Sequence, residues 1–436
     1  MPSPLTREKA KERVCREGCP RVRRVVEVSV TDVQGYWQRR IEAGNALLTQ
    51  QPNNRAAQET VMASLRCLLA DLLDDQAHAT EARQGIAAAL GQLDLSLVTP
   101  GLRLSFVNLI IDMLNTLGHV SEALAYSERF LPLDAPAVEP AAVCIVRYQG
   151  DFLRQMGRGM EARARQQAAR EAAVSQGLPL EEAQCLNNLA LLDMEAGNLA
   201  GASQQLARAL ARADGAPAPV LLGHVHNNRG IIASITGDLE TARSEFTRSL
   251  AHREAGGDWP GTAETLYNLA LVSRRQQRLN EALTLLDQAH ALARHLRYGM
   301  LLAHIMVARA ELFIEQNDLD PAEPLLRRAQ TFYSSQQIQM GVAETIRVRG
   351  DSLLAANQHD HAIPLFRLAA DLCRQAGYAL GEAMALERLS EAIARTGDLS
   401  AAYQTVSAAA SLFRQSGAQL DASRAEAAQL ALQLRQ

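Results

Sequence analysis

The sequence predicts an all-α fold, a superhelical solenoid of about nine stacked antiparallel helix pairs with capping helices. Small residues recur with a strict 40-residue period at Ala190, Gly230, Ala270, Ala310, Gly350 and Ser390. A second series with the same spacing contains only alanine, at Ala202, Ala242, Ala282, Ala322, Ala362 and Ala402. Fixed periods of roughly 20 to 50 residues are typical of architectures in which each repeat packs against its neighbours.

Within one repeat, the spacing of apolar residues predicts two helices. Leu186, Leu189 and Ala190 lie three and four residues apart, which places their side chains on one helix face. The first helix is then expected to end at glycine or asparagine, which tolerate a left-handed backbone, at Gly118, Gly157, Gly197, Gly237, Asn317, Asn357 and Gly397. Gln277 and Ala77 depart from this rule and predict looser turns. Polar residues two positions before the second-series alanine are predicted N-caps, at Ser121, Asn280, Asp320, Asp360 and Ser400.

Composition shifts divide the chain into four segments. Residues 1–34 mix many basic side chains with glutamate, and we expect a loosely ordered basic tail, with a partner-binding arm as the alternative. Residues 35–60 predict a half-repeat helix that covers the first full repeat. Residues 61–422 contain about nine repeats, and residues 423–436 predict a C-terminal capping helix, because the last repeat of an open stack has no further neighbour.

Composition and motifs also exclude several classes of function. The 436 residues carry a formal net charge of −4, so we expect no membrane-surface role and no direct nucleic-acid binding. Six thinly spread cysteines and the absence of a long apolar run indicate a cytoplasmic protein. No nucleophile constellation, metal-ligand spacing or phosphate loop is recognisable, and we therefore expect no enzyme activity, no metal and no cofactor.

The repeat positions resemble the tetratricopeptide repeat. Its small residue in the first helix corresponds to the Ala190 series, its alanine in the second helix to the Ala202 series, and its later apolar–alanine pair to Leu206 and Ala209. The usual repeat has about 34 residues, whereas this one is similar to the 40-residue variants of kinesin light chain, LGN-type adaptors and bacterial Rap-like regulators. The resemblance covers about nine tenths of the chain. It implies a right-handed superhelix whose first helices line a concave groove.

The resemblance further implies which residues contact a ligand. In the long-repeat relatives, asparagines of the first helix hold the backbone of an extended peptide, since a carboxamide both donates and accepts hydrogen bonds. The candidate site residues are Asn187, Asn188, Asn227, Asn228, Tyr267, Asn268, Arg147, Arg274 and Arg347. Further groove candidates are Arg154, Met194, Ile231, Leu271, Glu311 and Asp351. We expect Asn187 and Asn227 to face the groove, whereas the Asn188 series has an equally good alternative as a brace between neighbouring repeats.

Two functional hypotheses follow from these observations. The first is a protein–protein interaction scaffold or adaptor that binds an extended peptide or partner segment in the concave groove. The alternative is a sensor that binds a signalling peptide or small molecule and regulates a separate effector, such as a transcription regulator, in trans. Self-association is compatible with both. Because no helix-turn-helix or nucleotide-binding module is recognisable, a regulatory role is expected to act through a partner.

Overall fold

The all-α solenoid predicted from the sequence is confirmed. The computed structural model describes residues 41–52, 54–74, 87–88, 90, 95–116, 118–296 and 298–434. Short turns connect successive helices, and the described residues contain no strand. The expected basic tail, residues 1–34, lies outside the described residues. The chain forms two compact units, Met1–Cys185 and Leu186–Gln436.

The first unit is built from helix pairs around an apolar core. Its helices are α1 (Arg55–Asp74), α2 (Pro100–Thr116), α3 (Val120–Glu128), α4 (Pro140–Gln155) and α5 (Gly159–Ser175), with a 3-10 helix at Leu95–Leu97. Residues 41–50 are also helical. The side chains of Phe106, Ile110 and Phe152 are completely buried in this core.

The second unit is also built from helix pairs. The helix α6 (Pro179–Glu195) crosses the boundary between the units. It is followed by α7 (Leu199–Ala213), α8 (Pro219–Thr236), α9 (Leu239–Gly256), α10 (Trp259–Arg275), α11 (Leu279–His295), α12 (Gly299–Glu315), α13 (Ala322–Ser335), α14 (Gln339–Ala355), α15 (His359–Gln375), α16 (Ala379–Thr396), α17 (Leu399–Gln415) and α18 (Gln419–Gln433). No helix of the described residues is both long and apolar enough to cross a membrane.

The turn inside each helix pair has the left-handed residue that the sequence predicts. The backbone φ angle is 77° at Gly197, 57° at Asn317 and 58° at Asn357. Gln277 has φ 62°, so its turn has the same conformation as the others, and the looser turn expected there is wrong. Ala77 lies outside the described residues. A side chain in this conformation costs roughly 1–2 kcal/mol, which the packing of the two flanking helices offsets.

The second helix begins two residues earlier than the sequence suggested in most pairs and one residue later in α13. The N-caps are Asn198, Asp238 and Asp398, and each accepts a hydrogen bond of 3.0 Å from the backbone N–H three residues later. The predicted N-caps are therefore wrong. Four of them are the second residues of their helices, namely Ser121, Asn280, Asp360 and Ser400, and Asp320 precedes the N-cap Pro321. The reason is a very short turn, in which the left-handed residue is followed directly by the cap.

Small residues allow the two helices of a pair to approach closely. The ring of Phe366 on α15 is buried against Gly350 on α14, where an added Cβ would lie 2.6 Å from the ring. Phe246 on α9 packs in the same way against Gly230 on α8, at 2.7 Å. The alanines of the second series are completely buried, at Ala202, Ala242, Ala282, Ala322, Ala362 and Ala402. The 40-residue period therefore records where a larger side chain would separate close-packed helices.

The last helix of the second unit contacts helices that lie far earlier in the chain. Leu420 of α18 packs against Gly237, the residue after α8, where an added Cβ would lie 2.5 Å from the leucine Cβ. Arg275, at the end of α10, binds Asp421 of α18 at 3.3 Å and donates to the carbonyl oxygen of Ser234 at 2.7 Å. We call these interactions the closure contact, because they join the end of the second unit to its early helices.

Candidate functional site

The helices of the second unit surround a cavity of about 820 Å³. Its walls are the first helices of five successive pairs, α8, α10, α12, α14 and α16, together with α18. Its apolar lining includes Ile235, Leu271, Ile314, Leu380, Met384 and Leu432. Ligand pockets in proteins typically measure roughly 300–1,000 Å³, so this cavity has the size of a site for a short peptide or a small molecule.

A row of alternating charges crosses the cavity wall. Arg274 on α10 binds Glu311 on α12, and Glu311 also binds Arg347 on α14 at 2.6 Å. Arg347 binds Asp351 at 2.8 Å. Asp351 in turn accepts a hydrogen bond of 2.5 Å from Nε of Arg388 on α16. We call these five residues the charge ladder. It connects four consecutive repeats on the face that a ligand would contact.

A second set of ion pairs connects α16 to the last helix. Arg424 on α18 binds both carboxylate oxygens of Glu387 on α16, at 2.7 and 2.6 Å. Arg424 also binds Asp421 of its own helix at 2.8 Å. Two parallel N–H···O bonds fix the orientation of both groups, which is the strength of arginine in recognising carboxylates. The mouth of the cavity beside α18 is therefore bordered by ordered charges.

The charge ladder holds one carboxylate strongly ionised. Burial of Glu311 alone would raise its pKa, but the positive charges of Arg274 and Arg347 outweigh this effect and lower the pKa to about 2. An exposed glutamate has a pKa of about 4.3. Glu311 consequently stays charged at any pH at which the protein is expected to work.

This pKa predicts how the ladder contributes to acid stability. A carboxylate with a lowered pKa stabilises the fold above about pH 4.5, and this contribution is lost as pH falls toward about 2. Relative to wild type, Glu311→Gln should therefore show a shallower loss of the free energy of unfolding over this range, by about 3 kcal/mol in total. Urea titrations followed by circular dichroism at several pH values measure this. Glu161→Gln, which removes the carboxylate of an exposed ion pair, serves as the control and should follow wild type closely. Parallel curves for Glu311→Gln and wild type would contradict the prediction.

Three of the candidate site residues line the cavity, namely Tyr267, Arg274 and Arg347. The further candidates Leu271, Glu311 and Asp351 line it as well. Arg147 lies in the first unit, where it binds Glu181 at 2.9 Å and its guanidinium lies 4.4 Å from the ring centroid of Tyr148. That these residues bind a ligand stays a prediction.

The asparagines are placed differently from the expectation. Asn187 and Asn227 are only 5% and 7% exposed, so their expected exposure to the groove is wrong. The carboxamide of Asn228 donates to Asn187 Oδ1 at 2.9 Å, and that of Asn268 donates to Asn227 Oδ1 at 3.1 Å. Each bond joins one repeat to the next, which agrees with the bracing alternative, and Asn188 is half-buried. Two adjacent carboxamides satisfy each other when both are removed from water.

Sequence reasoning missed part of the polar lining, namely Glu344, Glu387, Arg388 and Arg424. A usable signal was present in the spacing of opposite charges. Glu311 and Arg347 lie 36 residues apart, and Glu387 and Arg424 lie 37 apart. These separations in sequence are about one helical turn shorter than the 40-residue period. The paired side chains therefore meet on adjacent first helices.

The described residues show little capacity for covalent or metal chemistry. No group of three His, Cys, Asp or Glu side chains in the described part of the chain is placed to hold a metal ion. Cys144, Cys185 and Cys373 carry free thiols. Burial raises the pKa of Cys144 and Cys185 to about 12 and that of Cys373 to about 11. These thiols are therefore protonated at neutral pH and are poor nucleophiles.

A stack of antiparallel helix pairs with a fixed period defines an α-solenoid, a class of repeat protein. The model of the tetratricopeptide repeat family matches residues 221–294 and 265–335, so the repeats in this region are similar to tetratricopeptide repeats. The matched regions contain α8 to α13 and with them part of the cavity wall.

The chain is also similar to a curated regulator. It is 30% identical over 171 residues to the "Regulatory protein AfsR" of Streptomyces griseus. The matched region is 39% of this chain but spans only 16% of that protein.

Solved structures share the fold at low sequence identity. Aspartyl phosphate phosphatase F from Bacillus subtilis is 11% identical with a TM-score of 0.53, over 89% of this chain and 96% of that one. A Rap protein complexed with competence and sporulation factor is 12% identical with a TM-score of 0.55, over 85% of this chain and 98% of that one. At identities this low, the structural similarity shows a common fold and nothing more.

Proposed function

We propose that this chain is a protein–protein interaction module that binds an extended peptide or partner segment in the cavity of the second unit. The observation that carries the proposal is the cavity of about 820 Å³, which is lined by the first helices of successive repeats. The solved complex of a Rap protein with competence and sporulation factor supports it, because that protein has the same fold.

The lining has the chemistry that peptide binding requires. Apolar side chains such as Leu271 and Met384 offer contacts for side chains of a peptide, and the charge ladder offers donors and acceptors beside them. A mainly apolar pocket with a few placed polar groups is the usual composition of a ligand site. The ladder also holds its donors in fixed positions, which reduces the entropy lost when a ligand is ordered.

The alternative is a sensor that binds a signalling peptide or small molecule and regulates a separate effector in trans. The closure contact favours it. A ligand in the cavity touches α18 and the early helices at once, so binding can bias whether these ends stay together. The similarity to a regulatory protein over 171 residues supports the same alternative.

We infer that the chain acts by binding and has no catalytic role. The protonated, buried thiols and the ion-paired arginines support this, since neither is activated for reaction. Aspartyl phosphate phosphatase F shares only its fold with this chain, so its activity is not extended to this chain. The compartment we propose is the cytoplasm, because three free thiols are typical of a reducing environment.

A cavity-filling substitution tests the proposal. Ala428 on α18 lines the cavity, whereas Leu430 on the same helix is 58% exposed and does not line it. Affinity selection from a random hexapeptide library with the full chain should enrich peptides that bind wild type. Ala428→Trp should weaken their binding at least tenfold, because the indole occupies space the peptide needs, and Leu430→Trp should leave it unchanged. Fluorescence polarisation of labelled peptides measures the dissociation constants.

The outcomes separate the proposal from its alternatives. Peptides that bind Ala428→Trp as tightly as wild type would place the binding surface outside the cavity. Failure to enrich any peptide, together with selective capture of a small molecule, would instead favour the small-molecule form of the sensor.

A further inference from the structure

The cavity contains one carboxylate that no group of the described chain neutralises. Five arginines line it, and each binds a lining carboxylate, namely Arg274, Arg275, Arg347, Arg388 and Arg424. Seven carboxylates line it, namely Glu311, Glu315, Glu344, Asp351, Glu387, Glu391 and Asp421. Six of them form ion pairs. Among the described residues, Glu344 has neither an ion pair nor a hydrogen bond.

The position of Glu344 makes this unpaired charge unfavourable. Its removal from bulk water raises its pKa, Glu311 raises it further, and Arg347 and Arg274 offset only part of the effect. Glu344 is only partly buried, so this unpaired carboxylate adds no ion-pair stability to the second unit. An unpaired, perturbed group in a cavity is a candidate for contact with a ligand.

The surroundings of Glu344 suit a positive charge. Tyr267 lines the same cavity, and burial together with the charge of Glu344 raises the pKa of its hydroxyl, so the phenol stays neutral. An aromatic face attracts ammonium and guanidinium groups. Leu380 and Met384 lie on α16, the first helix next to α14, and can cover the aliphatic stem of a long basic side chain in the cavity.

We propose that Glu344 anchors a positively charged group, an ammonium or a guanidinium, of a short peptide that enters the cavity. This inference rests on the proposed function and specifies the ligand class of the same site. An anionic ligand is disfavoured, because every arginine of the lining already binds a carboxylate and would have to release it. The charge can come from a free amino terminus or from a lysine or arginine side chain, and the experiment distinguishes these sources.

The test uses four pools of random hexapeptides and the full chain. The first pool is acetylated and lacks lysine and arginine, the second has a free amino terminus and lacks both residues, the third is acetylated with one arginine, and the fourth is acetylated with one lysine. Wild type should retain at least one cationic pool at least tenfold better than the neutral pool. Mass spectrometry of the retained peptides measures this and identifies which source of charge is preferred.

Two variants assign the preference to Glu344. Glu344→Gln should lose the tenfold preference while retaining neutral peptides, and its melting temperature should be equal to or higher than that of wild type. Glu264→Gln is the matched control, because Glu264 occupies the same repeat position two repeats earlier but binds the hydroxyl of Tyr298 at 2.6 Å. It should keep the preference of wild type.

A pH series separates a direct ion pair from a structural effect. The groups that face Glu344 are Tyr267, Arg274, Glu311, Tyr333, Arg347, Cys373 and Tyr378. None of their pKa shifts brings a group into the range between pH 7 and 5. Retention of the preferred cationic pool should therefore weaken in wild type as pH falls below 7, because the raised pKa of Glu344 lets it take up a proton at a higher pH than an exposed glutamate does. Contributions from His304, which stacks on Tyr267, and from Glu315 remain in Glu344→Gln and are subtracted.

The possible failures are distinct. If wild type retains the neutral pool as well as the cationic pools, or if Glu344→Gln keeps the preference, the inference about Glu344 is wrong while peptide binding stands. If wild type retains no pool at all, the proposed function and this inference both fail.

Discussion

Arg347→Met is expected to lower the free energy of unfolding by about 3 kcal/mol, because it removes the central cation of the charge ladder. The guanidinium of Arg347 binds Glu311 at 2.6 Å and Asp351 at 2.8 Å, and the residue is 7% exposed. Breaking a buried ion pair from one side typically costs about 3–5 kcal/mol. The lower end applies here, since Glu311 keeps Arg274 and Asp351 keeps Arg388. Chemical denaturation at pH 7 gives the value.

Arg395→Met provides the control for this prediction. Arg395 binds Glu391 at 2.9 Å, but its side chain is 49% exposed. Exposed pairs contribute about 0–1 kcal/mol, so this variant should differ little from wild type. Equal losses for the two variants would show that the ladder is no stronger than a surface ion pair.

Phe366→Ala is expected to lower the free energy of unfolding by about 3–5 kcal/mol. The ring is completely buried, and it fills the space left by Gly350 on the facing helix. Alanine leaves a cavity there, because the rigid helix pair can collapse only partly around it. The midpoint of urea unfolding and its slope together give the loss.

Leu368→Ala is the matched control on the same helix. Leu368 lies two residues later and is 47% exposed. Its truncation should change the free energy of unfolding by less than about 0.5 kcal/mol. A loss of several kcal/mol at Leu368 would mean that this face of α15 is covered by something outside the described contacts.

Much of the fold was predictable, because close packing leaves a periodic record in the sequence. The alanines of the Ala202 series are buried wherever they occur, and the residues of the Gly197 series have positive φ. The N-caps were misplaced by two residues, or by one at Asp320, because several side chains near a helix start are suitable caps. Gln277 shows that packing, and not residue type alone, decides a turn.

The candidate site was less predictable, since one repeat position has different surroundings along the stack. Asn187, Asn227, Tyr267 and Arg347 share a position, yet the first two bond to the next repeat and do not line the cavity, whereas the last two line it. α18 contributes to the difference, because it borders the cavity, which reaches α8 only at Ser234 and Ile235 and contains no residue of α6. Its contact with Gly237 joins residues far apart in sequence, and no local pattern marks either partner.

The closure contact changes how the second unit is expected to unfold. A linear array of repeats frays from its ends, because each terminal repeat has a neighbour on one side only. Here α18 packs on α17 and also touches the residues that follow α8 and end α10. The last helix of the array, α18, therefore has neighbours on both sides. Amide protons of α18 should exchange about as slowly as those of the interior helices, and the second unit should melt in one cooperative step.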